Sequence, residues 1–174
     1  MTAPRRRWKL MLAALALLGA SACATAERVG AAGDVHALLV AIRDNDHAAF
    51  DARVDRRALE HQLESRILDR TQGPNESNAT RALGAAFAGP LARLAGEALL
   101  RPEVFRAVAE YYGYTPQTPI PGQVGIAAAL RPLPDGRVCA AKNHGGPCLL
   151  TFANENGVWR LVSFDGDVSL LRLR

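Results

Sequence analysis

Beyond its first few residues, this chain lacks an excess of charge. The formal net charge is +4, and Arg5, Arg6, Arg7 and Lys9 account for all of it. From residue 10 onward acidic and basic side chains are equal in number, and Lys142 is the only lysine. A nucleic-acid binder needs a basic stripe to displace counterions from phosphates, so the neutral body excludes that class. No apolar run reaches the roughly 20 residues that span a bilayer. The signatures of common catalysts are also absent. There is no G-x-S-x-G turn for a serine nucleophile, no His-Glu-x-x-His pair for zinc, no P-loop and no G-x-G-x-x-G. His36, His47 and His61 stand singly beside Asp34, Asp46 and Glu60, and Glu60 and Glu64 read as solvating charges on exposed helix faces. The expectation is a protein without catalytic residues, cofactor or metal.

The start of the chain carries an address. A basic segment (Arg5–Lys9), an apolar run (Leu10–Gly19) and small residues make up residues 1–22 of an export signal. "ASAC" (20–23) fits a lipobox loosely, with Ala20 where a strong one has Leu. Lipidation of Cys23 is the expectation. Two alternatives stay open: plain cleavage after Ala20-Ser21-Ala22, or after Ala24-Thr25-Ala26, which would discard Cys23. Cysteine parity favours the lipid, because three cysteines minus one leave a pair. Ala24 in place of Asp after that cysteine resembles outer-membrane sorting. The protein is thus expected in a bacterial cell envelope, on the periplasmic side of the outer membrane if lipidated and soluble in the periplasm otherwise.

Residues 23–33 are small and polar and read as a flexible tether to a single domain, 34–174. Its first part, 34–113, has helical periodicity. Asp34 is placed to cap a helix carrying Val35, Leu38, Leu39 and Ile42, and Asp55 to cap one carrying Leu59, Leu63 and Ile67. Leu83, Phe87, Leu91, Leu94 and Ala98 form an apolar stripe read as core-facing, in a helix that Gly89-Pro90 should kink or split. "RPEVF" (101–105) restarts a helix with Val104, Phe105, Val108 and Tyr112 inward. A proline-rich connector (114–123) follows. In 124–174 the period becomes two, with "QVGIAAALR", "RVCAAK", "CLLTFAN", "VWRLVSF" and "VSLLRLR" as strands between turns such as Asp135-Gly136 and Asn156-Gly157. Helices followed by a meander give an α+β fold, with N-terminal helices packed on one face of a curved antiparallel sheet.

"CAAKNHGGPC" (139–148) offers two chemistries. Cys139, His144 and Cys148 could ligate a metal. Alternatively, a turn near Asn143-His144 sets Cys139 opposite Cys148, close enough for a disulfide, and export to an oxidising compartment favours the bridge. "EYYGY" (110–114) could edge a ligand mouth or close a helix end onto the sheet.

"LLVAIRDNDHAAFDARVDRRALEHQL" (38–63) resembles a bacterial envelope family, domain of unknown function 2939. The likeness lies in Ala41-Ile42 with Asp46, then Val54-Asp55 with Leu59 and Leu63. "LGAAFAGPLARL" (83–94), "RPEVF" (101–105) and "VWRL" (158–161) look similar too, so the likeness covers most of 34–164. The resemblance implies an exported single domain and brings no catalytic residues. The functional expectation is a lipid-anchored envelope protein with a binding or structural role. Its partners would be the membrane and a small apolar ligand or an envelope protein. The alternative is a small cone-fold hydrolase or isomerase using buried carboxylates.

Overall fold

A computed structural model describes residues 25–111, 113–141 and 145–165. Within it, helix α1 covers residues 25–44. Residues 25–33, expected as a tether, are therefore helical, and Ala31 and Ala32 are buried in the core. Their small side chains suggest a linker by composition, yet alanine is the best helix former and fits where a helix must lie close to its neighbours. Asp34 is correspondingly inside α1 and not at its N-cap. Its Oδ2 accepts the Trp159 amide at 2.9 Å, and its Oδ1 lies 3.5 Å from the Arg53 guanidinium.

The next three helix starts follow local capping chemistry. α1 ends before Asn45, which takes a left-handed φ of 57°. Asp46 caps α2 (His47–Asp51) by accepting the Ala49 amide, and Asp55 caps α3 (Arg56–Thr71) by accepting the Ala58 amide. Ser77 caps α4 (Asn78–Leu99) through the Thr80 amide. α4 runs on through Pro90 without splitting, and Pro90 lies on its solvent side, where a missing amide costs least. α5 (Pro102–Tyr111) follows after Leu100, which is itself buried.

Residues 123–129, read as strand, form a short helix α6 (Gln123–Ala129). Only Ile126 in α6 is buried, and Leu130 follows four residues later on the same side. Three consecutive alanines favour helix, and no apolar alternation opposes it. Strands β1 (Leu130–Pro132), β2 (Val138–Ala141), β3 (Cys148–Glu155) and β4 (Val158–Phe164) then make an antiparallel meander in sequential order. Asn156 and Gly157 both take positive φ between β3 and β4, as a tight two-residue hairpin turn requires. The strand expected at 168–174 lies outside the described residues.

The fold is α+β, with its core on one face of the sheet. Val138, Phe152, Trp159 and Leu161 meet Val35, Leu38 and Ala41 of α1, with Phe50, Leu59, Ile126 and Leu130 closing the sides. Phe50 is fully buried and meets Phe105 of α5 edge to face, centroids 5.3 Å apart. The outer edge of β4 is covered along its length. Trp159 N–H goes to Asp34, and Leu161 bonds Arg53 and Asp55 through its N–H and C=O. Phe164 N–H goes to the Gln62 side chain at 3.0 Å, and Phe164 O accepts from Arg66.

Candidate functional site

The least expected surface belongs to α4. Its buried positions are Gly84, Ala88, Ala92 and Gly96, a ridge of small residues at every fourth place. This ridge lies on α3, and the two helices run antiparallel: Thr71 faces Gly84, Glu64 faces Gly89 and Glu60 faces Gly96. The approach leaves no room for a side chain. A Cβ on Gly96 would sit 2.8 Å from Glu60 Cγ, and one on Gly84 would collide with the Thr71 side chain. Glu60 thus lays its aliphatic stem against α4 and Glu64 turns its carboxylate toward it, and both are half-buried, not free solvating charges.

With the small ridge inward, the large apolar side chains turn outward. Leu83, Phe87, Leu91 and Leu94 are 59%, 53%, 51% and 60% exposed. The core-facing reading of this stripe is corrected. Two apolar ridges run side by side along α4, and the larger one has the stronger periodic signal. Packing on α3 instead selects the ridge that permits close backbone approach. The overlooked signal is the four-residue repeat Gly84, Ala88, Ala92, Gly96. Between Arg81 and Arg93, α4 carries no polar or charged side chain. No single described helix is long and apolar enough to cross a membrane. α4 and α5 pass such a test together, but they meet at a bend of 71°.

The described pocket lies elsewhere, where the start of α3 meets the β3–β4 turn. It is an open recess of about 410 Å³ lined by Val54, Asp55, Arg56, Arg57, Glu155 and Arg160. Burial, then the hydrogen bond and repulsion from Asp55, push the Glu155 carboxyl above its ordinary range, against the pull of Arg160. These groups already have structural tasks. Asp55 caps α3, Arg56 pairs with Asp51 at 2.5 Å, and Arg160 Nε lies 3.6 Å from Glu155. An Asn45–His47–Glu103 cluster joins α5 to the α1–α2 turn, with His47 Nε2 at 2.7 Å from Glu103 Oε1. The amide of Glu103 itself, then Asn45 and His47, hold the Glu103 carboxyl below its ordinary range.

Cys139 and Cys148 form a disulfide with Cα atoms 5.6 Å apart. They are not directly opposed, because an irregularity between Ala140 and Ala141 pairs Cys139 with Thr151 and Cys148 with Ala141. With both sulfurs joined, neither is a thiolate donor, and His144 lies outside the described residues. No group of His, Cys, Asp and Glu that could hold a metal occurs among the described residues. His36 bonds the Pro121 carbonyl at 3.0 Å, and His61 lies 3.6 Å from Glu64. Tyr111 and Tyr114 are exposed and line no described pocket, while Tyr112 lies outside the described residues. Cys23 lies outside them too.

The sequence family described as "Protein of unknown function (DUF2939)" matches residues 13–108, more than half of the chain. The chain belongs to this family. The DUF2939 match takes in α1 to α4 and most of α5. It includes the whole outward stripe, and it stops before the sheet. No curated protein and no solved structure matches the chain.

Proposed function

We propose that this DUF2939 protein is exported, anchored in the bacterial envelope by a lipid on Cys23, and acts by binding rather than by catalysis. The observation that carries the binding role is the stripe Leu83, Phe87, Leu91 and Leu94, which is exposed among the described residues. Large apolar side chains gathered on one exposed helix face mark contact surfaces, since solvating them is unfavourable. The anchoring half rests on the signal, the lipobox and the pairing of the other two cysteines.

The catalytic alternative has one observation in its favour, the Asp55–Glu155 pair with its raised carboxyl. A general acid must lie within hydrogen-bond reach of the group it protonates, in a site that holds the substrate. This pair sits in an open recess, and its members cap a helix and hold an arginine, which supports the binding reading instead.

The test is the intact mass of protein extracted from membranes. The expected species begins at Cys23 and carries a diacylglycerol, and Cys23→Ser removes that mass. A chain that begins at residue 27, or at an unmodified Cys23, would overturn the anchoring.

A further inference from the structure

We propose that the outer face of α4 is a second membrane contact, seated in the surface of a phospholipid bilayer. This deepens the function proposed above and rests on the lipid at Cys23. Three observations favour a bilayer over other occupants.

First, the helical body begins by residue 25, and Ala31 and Ala32 are already in the core. Cys23 is two residues from Thr25, so a lipid there would lie within about 7 Å of chain from the helical body. The body would be pressed to the headgroups, not held away on a tether.

Second, the stripe has the make-up of an interfacial helix. Leucines and a phenylalanine project from three turns that lack any polar side chain, and Arg81 and Arg93 bracket those turns. At about 100° per residue, Arg93 lies beyond one border of the stripe, whereas Arg81 falls on the ridge that faces α3 and reaches the Gly73 carbonyl at 3.5 Å. Arg93 can reach up to anionic headgroups while the apolar ridge is immersed. Third, no single described helix is long and apolar enough to cross a membrane, and α4 meets α5 at a bend of 71°. The face can lie in a membrane surface without crossing it.

The test places a reporter in the stripe. Phe87→Trp is a mild change at an exposed site, and Trp159 is buried, so the added emission is separable by difference from the wild type. The variant is compared in buffer and with vesicles of phosphatidylethanolamine and phosphatidylglycerol, with and without bromine on the lipid tails. The expected result is a blue shift on vesicles and quenching by tail bromines. The Cys23→Ser form should still bind vesicles, and Leu83→Ser with Leu91→Ser should weaken that binding about tenfold or more while leaving thermal unfolding unchanged. Water-like, unquenched emission on vesicles overturns the proposal. So does a blue shift already present in buffer that grows with protein concentration, which assigns the stripe to a second copy of the chain. Because the Cys23→Ser arm does not depend on acylation, failure of the anchor and failure of the stripe give different results.

Discussion

Asp34 shows how a single side chain can matter in a place its sequence neighbourhood does not suggest. Its carboxylate leaves the middle of α1 to accept the Trp159 amide and to face Arg53. Removing it strands a poorly accessible amide, which costs about 1–3 kcal/mol. Asp34→Ala should therefore lower stability by that amount in urea unfolding, and Asp34→Asn, which keeps an acceptor, should recover much of the loss. Glu155 has the opposite character. Its raised carboxyl means that ionisation penalises the folded state relative to the unfolded chain. The penalty is full above the raised pKa and fades as pH falls toward the ordinary value of 4.5. Glu155→Gln should accordingly be more stable than the wild type at pH 7–8, and the advantage should shrink toward pH 4.5 in melting curves. Asp55 was readable as a cap because capping is local. The role of Asp34 was not, because its partner is 125 residues away in sequence.

At the level of elements, α4 was found by its periodicity but turned the wrong way. The sequence contains both ridges, and choosing between them requires knowing how near α3 comes. That proximity yields a sharp expectation. In an open helix Gly→Ala stabilises by about 0.5–1 kcal/mol, but at Gly84 the added methyl meets Thr71. Gly84→Ala should instead destabilise by about 1–3 kcal/mol, measured by thermal or urea unfolding. Ala85→Gly on the exposed side serves as a control for propensity alone. α6 illustrates a different difficulty. A seven-residue, alanine-rich segment with one buried side chain has too little pattern to separate helix from strand. β3, β4 and the turn between them were legible because alternation and Asn156-Gly157 act together.

For the whole molecule, the helices and the sheet share one core, while the disulfide fastens β2 to β3 only. The bridge closes a short loop, so replacing Cys139 and Cys148 with alanine should cost about 2–3 kcal/mol. Reducing agent should produce the same loss in the wild type and none in the variant. The α+β order was plain from the change in period, and the paired cysteines from parity and spacing. The early start of α1 was hidden because small residues serve linkers and close-packed helices equally well. The covering of β4 by Asp34, Arg53, Asp55 and Gln62 has a further result. On the opposite rim β1 has three residues, one of them Pro132, which has no amide hydrogen to offer. An extended peptide therefore meets no open row of donors and acceptors on either described rim, so runaway strand stacking between neighbouring molecules has nowhere to begin.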